Sequence, residues 1–442
     1  MPADLSLWAA NVQLSLRLLV LLIAASPAIV FVDDAVTLGL VAALTAAAIA
    51  LIALSVGSTE AGYLSTLFRP IAIVMAIPAF WMLIQLIPMP FGSLAHPIWA
   101  SAATAVNKPV FGRISIDPGA TLLSISRYLC ATGIIFAVAA ATVDRRRAEW
   151  MLFSLVGAAG VMAPVFLVYS LGGFEIFEVN YNLDRATVMS AVSVLATIIT
   201  AAAAIRAFER FETRRLGHDM MLRKFWSDFA IWLGAWSISW FVIAGRASHI
   251  FAAACGTASL AIIEIIRRLG VNRRVAGAIT ATALVVAIAV IAIQPTGQND
   301  VTLRFAASAA SSGVPMTEQM MMDTHWTGAG AGAFLALAPI YQNINDPDVP
   351  TAPTTAAAIA IDLGRPALVF ILAMMIAAAV LLGAGALRRG RDSFYPAAGA
   401  GCVVALAIEM FTDATALSTT VQIISAAIIG LGLAQSRSRS QR

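Results

Sequence analysis

The sequence predicts an all-α polytopic membrane protein with about twelve transmembrane helices. Both termini are expected in the cytoplasm, with a large periplasmic loop between spans nine and ten. Three observations predict this. Of 442 residues, 60% are hydrophobic and only 12% are charged, with a mean hydropathy of +0.86, too little charge to cover a water-soluble protein of this size. Apolar runs of about 17 to 20 residues, long enough to cross a bilayer as helix, recur along the whole chain. The basic residues gather in alternate connections, the pattern that orients a membrane protein. A soluble globule is thereby excluded. The net charge of +4 is not a nucleic-acid signal, because it comes from short clusters between apolar runs.

In order, the spans read 16–32, 36–56, 70–88, 121–143, 150–170, 186–207, 227–244, 248–266, 276–293, 366–386, 396–412 and 419–434, within one membrane domain covering 1–442. The first is followed by Asp33-Asp34 rather than a small-residue cleavage site, so it is expected to remain as a span. An even count puts both ends on one side. If that side is the cytoplasm, it receives Arg17, Arg69, Arg145 to Arg147, the cluster from Arg206 to Lys224, Arg267 to Arg274, Arg388 to Arg391 and the Arg-rich C-terminus. Lys108, Arg113, Arg127, Arg185, Arg246, Arg304 and Arg365 are left outside or at the outer ends of spans. One misplaced span would invert every later connection, so a bias repeated this often supports the whole arrangement.

The inner connections are short and basic, and none carries a phosphate-binding glycine loop, which removes ATP-driven transport. Cys130, Cys255 and Cys402 all lie within apolar stretches, and no disulfide is expected. The outer side holds the long segments, 89–120, 171–185 and 294–365. Segments of that length in a chain of otherwise brief connections are usually functional.

Inside the largest segment, 301–311 reads as a short amphipathic helix carrying Arg304. MDTHWTGAGAGAF follows at 322–334, where Gly328, Gly330 and Gly332 would let backbone or ligand approach closely and expose amides to an anion. Residues 341–353 are rich in turn formers, and 354–363 is helix-like up to Gly364-Arg365-Pro366.

With QLIPMP at 85–90, ISIDPGAT at 114–121, NYN at 180–182, AGRAS at 244–248 and GAGAGAF at 328–334, the chain resembles the O-antigen ligase and polysaccharide polymerase superfamily of bacterial inner-membrane glycosyltransferases. The resemblance lies in the order and placement of short motifs over residues 70 to 385. One departure is clear: where many members carry His-Asn before span ten, this chain has Pro353-Thr354, although Asp362 and Gly364 are present. The resemblance implies a polysaccharide polymerase, for exopolysaccharide or O-antigen, that transfers a polyprenyl-diphosphate-linked glycan donor to a glycan acceptor hydroxyl at the periplasmic face. No cofactor and no metal are expected. The lipid bilayer is the expected partner, with a chain-length regulator a candidate further one, and no nucleic acid is expected. A ligase acting on another acceptor shares the same donor, and a secondary transporter is the reading from another class.

In such a transfer the leaving diphosphate is an anion, and arginine forks suit it better than lysine. Arg246, held between spans seven and eight, is the foremost outer arginine, its alternative role being an interfacial anchor. Arg304 follows. Arg365, Arg185 and Arg127 are substrate-binding candidates, with headgroup anchoring the alternative for the first two and pairing with Asp413 or Glu409 the alternative for Arg127. His325 and Asp362 are the candidate bases for the acceptor hydroxyl. His325 can equally be a solvated loop residue, and Asp362 can pair with Arg365 three positions on. Gly328, Gly330, Asn180, Asn182 and His249 complete the candidate substrate site, with His249 either orienting Arg246 or satisfying a hydrogen bond of the bundle. Asp323 and His325 lack further ligands for a metal. Among the tryptophans, Trp99 and Trp326 lie where stacking on a glycan is feasible.

Overall fold

The structure, a computed structural model, describes residues 2–55, 58–89, 95–171, 183–213, 234–243, 246–269, 303, 313–342, 352–389 and 392–436. Every extended element among them is helical: α1 Pro2–Ile29, α2 Ala35–Ser55, α3 Ser58–Leu86, α4 Ile98–Val106, α5 Pro118–Ala141, α6 Arg145–Ser170, α7 Leu183–Thr213, α8 Gly234–Ile243, α9 Ala247–Leu269, α10 Gly313–Asp323, α11 Phe334–Tyr341, α12 Thr355–Asp362, α13 Arg365–Arg388, α14 Phe394–Thr412 and α15 Thr419–Gln435. Nine of these described helices are long and apolar enough to cross a membrane. They are α1, α2, α3, α5, α6, α7, α9, α13 and α14. The expected span 419–434 forms the 17-residue α15, and of the run 227–244 only α8 is described. The run 276–293 lies outside the described residues.

The helices extend past the apolar runs where a polar turn can be capped. α6 begins at Arg145 rather than at 150, because Asp144 accepts the Arg146 N–H as its N-cap. α5 begins at Pro118, with the Asp117 carboxylate accepting the Gly119 and Ala120 amides.

The bundle is built around α14, all of whose residues are buried. α7, α9, α12, α13 and α15 pack on it. Its tightest neighbour is α9, and glycine explains why. A Cβ at Gly401 would lie 2.5 Å from the Gly256 carbonyl oxygen, and one at Gly256 would lie 2.9 Å from that of Gly401. Small residues let helix backbones approach where the hydrophobic effect gives no drive for association.

Polar contacts gather at the two ends. At one end, Arg206 pairs with Glu149 at 3.3 Å and Arg145 with Asp392 at 3.0 Å. Glu264 there binds Arg267 and Arg268, and Gln435 donates to the Thr142 carbonyl at 2.6 Å. This is the basic end. At the other, the loop end, Asp33 accepts from the Thr419 hydroxyl at 2.8 Å, and the short helices α10 to α12 stack over the bundle.

Candidate functional site

At the loop end, segments far apart in sequence close into a cap. Gln85, at the end of α3, is fully buried. Its Nε2 donates to the carbonyls of Thr327 and Asp362, both at 3.1 Å, and its Oε1 accepts from the Ala331 amide at 3.1 Å. The Ile116 amide donates to the Ala329 carbonyl at 2.9 Å, and the Ala329 amide to Ile361 at 2.8 Å. Trp81 Nε1 donates to the Leu363 carbonyl at 2.9 Å. Two strands of irregular backbone can lie this close because Gly364 has φ +94° and faces the Trp326 carbonyl with no side chain between.

The glycine run and Asp362, both singled out from sequence, are brought together here. The Asp362 carboxylate accepts the Gly332 amide at 2.8 Å and the Phe334 amide at 2.9 Å, and its carbonyl accepts the Gly330 amide at 3.0 Å. The Gly328 amide donates to the His325 carbonyl at 2.9 Å. The amides of Gly328 and Gly330 are therefore already engaged within the protein. Burial pushes the Asp362 carboxyl up to about 7, against the downward pull of the Gly332, Phe334 and Ala333 amides. Asp362 does not pair with Arg365. The carboxylate turns back to the glycine loop because two amides offer directed bonds that an exposed guanidinium does not replace.

Beside this clasp is an open pocket of about 150 Å³, lined by Met321, Met322, Thr324, His325, Trp326, Ala360 and Arg365. It brings together His325 and Arg365, forty positions apart in the sequence. Arg365 Nη2 donates to the Met321 carbonyl at 3.3 Å, and His325 Nδ1 lies 3.1 Å from the Thr327 hydroxyl. Trp326 is 57% exposed, its ring centroid 5.5 Å from that of His325. Trp99, the other tryptophan considered for stacking, spends its indole N–H on the Ser115 carbonyl at 3.2 Å.

Below the cap lies a buried polar row. His249 Nδ1 is 3.4 Å from Glu409 Oε1, and Nε2 is 3.3 Å from Asp413 Oδ2. All three side chains are at most 2% exposed. The register follows from the glycine crossing: His249 is two turns from Gly256, and Glu409 just over two turns from Gly401, on antiparallel helices. Both Glu409 oxygens and Asp413 Oδ2 make no hydrogen bond among the described residues. Buried charge in a membrane protein is costly unless paired, and the pairing available here is within the row. The Asp413 carbonyl accepts from the Thr355 amide at 2.8 Å and hydroxyl at 3.0 Å, tying the start of α12 to the end of α14. Thr354 caps α12 by accepting the Ala357 amide at 3.0 Å.

Arg246 is half-buried one turn before His249, its carbonyl accepting the Ile250 amide at 3.1 Å. Arg185 reaches the Phe31 carbonyl at 3.5 Å. Arg127 is half-buried, and its Nε has no partner among the described residues. It does not pair with Glu409 or Asp413, since those carboxylates face His249. Arg304, Asn180 and Asn182 lie outside the described residues. Among the described residues, no group of three or more His, Cys, Asp or Glu is placed to hold a metal ion. Gln85 organises the cap, yet sequence reasoning saw it only as part of a motif. A glutamine before a proline-rich loop carries no sign that its partners lie more than 240 positions away.

Compared with models of known protein families and with curated proteins, the chain matches none.

Proposed function

We propose that the chain is a membrane polysaccharide polymerase. It moves a polyprenyl-diphosphate-linked glycan onto an acceptor hydroxyl at the periplasmic face of the bacterial inner membrane. In this reading the loop end is periplasmic, twelve spans include the run 276–293, and both termini are cytoplasmic. The observation that carries it is the pocket presenting His325, Trp326 and Arg365 together on a cap held at one end of the bundle. The order of motifs shared with the ligase and polymerase superfamily gives that pocket its chemistry.

The guanidinium group of Arg246 stabilises the diphosphate as the glycosidic bond to it breaks. His325, exposed on the wall of the pocket, takes the proton of the acceptor hydroxyl as the new bond forms. Asp362 is less suited to that step, because both of its carboxylate oxygens are held by amides. A ligase using another acceptor would need the same groups. A secondary transporter calls for ionisable residues at mid-membrane; Glu409 instead sits within the last turn of α14, at the loop end.

Arg246→Lys tests the transferase reading. It keeps charge but loses the fork, and polymer formed by purified protein should fall about 100- to 1000-fold. Near-normal polymer at equal protein level would reduce Arg246 to an anchor. Sidedness is checked by reporter fusions. Those at Arg145, Arg215, Arg268 and Arg389 should report cytoplasm and those at Asn107, Asp323 and Asp348 the periplasm, and a cytoplasmic signal from Asp323 would overturn the proposal.

A further inference from the structure

We propose that the pocket between the end of α10 and the start of α13 is an acceptor subsite for an acidic sugar, one pyranose ring carrying a carboxylate. The proposal rests on the glycan-transferring reading above and narrows the class of glycan.

The charge comes first. Arg365 offers an exposed guanidinium whose hydrogen bond runs from Nη2 to a backbone carbonyl, that of Met321. The acidic side chains nearest in sequence to the pocket are committed elsewhere. Asp362 is held by the Gly332 and Phe334 amides, and Asp323 accepts from the Tyr341 hydroxyl at 3.1 Å. Among the described residues no carboxylate pairs with Arg365, so a cation stands in an open pocket without a counter-ion from them. A planar fork in that position favours a planar, two-oxygen anion. His325 stands on the same wall, its Nδ1 3.1 Å from the Thr327 hydroxyl.

The aromatic wall comes next. Trp326 leaves more than half its surface in solvent at the lip of a cavity, beside Met322 at 69% exposure. An indole face so placed is suited to the apolar face of a sugar ring. A cavity of about 150 Å³ has room for one such ring in place of water.

Placement separates a glycan from a lipid headgroup. Met321, Met322, Thr324, His325, Trp326 and Ala360 all belong to the cap, outside the candidate spans. Arg365 alone belongs to a spanning helix, as its first residue. The ligand is therefore received from the side of the cap rather than from between spans.

The test is calorimetric binding to the full chain in zwitterionic lipid nanodiscs, with three probes: a uronate oligosaccharide, its methyl ester and undecaprenyl phosphate. The uronate should bind at least about tenfold tighter than the ester. Arg365→Gln should erase that preference, Arg365→Lys should restore part of it, and Trp326→Ala should weaken acid and ester alike. Unchanged thermal unfolding of Arg365→Gln ensures that binding, not folding, is read. Equal binding of acid and ester, no binding of either, or an Arg365 effect confined to undecaprenyl phosphate would each overturn the subsite. Because no turnover is needed, its failure is distinct from failure of the polymerase reading, which fails if the purified, unaltered chain forms no polymer from lipid-linked donor.

Discussion

A single methyl group placed on two different glycines should have opposite effects, and the contrast follows from the α9–α14 crossing. At Gly160 on α6, an added Cβ meets nothing within 4 Å, so Gly160→Ala gains helix propensity, about 0.8–1 kcal/mol, with nothing to oppose it. Gly401→Ala has the same gain in propensity. Its Cβ, however, would stand 2.5 Å from the Gly256 carbonyl, where real Cβ contacts essentially never fall below 3.0 Å. The helices must part by about 0.5 Å or more. α14 is enclosed on all sides and cannot step aside, so the insertion carries the ordinary overpacking cost of about 1–3 kcal/mol. The two variants should thus differ by about 1–3 kcal/mol in thermal unfolding measured in the same detergent. The parting also passes two turns along both helices to His249 and Glu409. If Gly401→Ala proved as stable as Gly160→Ala, the close crossing, and the register it sets for the buried row, would be wrong.

Two further outcomes follow from the cap and the row. Burial raises the Asp362 carboxyl from near 3.8 to about 7, so its contribution to the cap is full below the lower value and is lost as pH rises through the higher one. Protease sensitivity of residues 322–334 should accordingly increase between about pH 4 and 7, and Asp362→Asn should flatten that dependence; a slope unchanged in the variant would assign it to another group. His249→Leu should cost about 1–3 kcal/mol, because it leaves the buried Glu409 and Asp413 side chains without the imidazole that each lies against. Strictly additive effects of His249→Leu and Glu409→Gln in a double-mutant cycle would show that the two residues do not interact.

Much of the helical layout was legible because hydropathy reports what a membrane demands of a segment twenty residues long. It reports nothing about where a helix continues into water, and so α6 starts at Arg145 and α7 runs on to Thr213, past the apolar runs at 150 and 207. The site was legible as residues and much less so as contacts. Asp362 and the glycine run were both visible, yet a carboxylate bound to two amides 28 and 30 positions earlier leaves no periodic trace, and the local alternative was a pair with Arg365. Glu409 was weighed as a partner for Arg127 but lies against His249, because its neighbour depends on which helix packs on α14, and that is decided by Gly256 and Gly401, two glycines unremarkable in sequence.

The complete enclosure of α14 also bears on how the chain is made. Translation proceeds from the N-terminus, and α7, α9, α12 and α13 have all left the ribosome before α14 emerges; of its helical neighbours only α15 follows. A segment carrying Glu409 gains less from bare lipid than an uncharged one would, and its more favourable surroundings are the sides of helices already in place. Its insertion is then an act of assembly, in which the newly made helix enters a slot between α9 and α13 and is closed in when α15 arrives. A chain ending between Thr412 and Thr419 would be one helix short of a sealed core, the stage at which a quality-control protease would find most to cut.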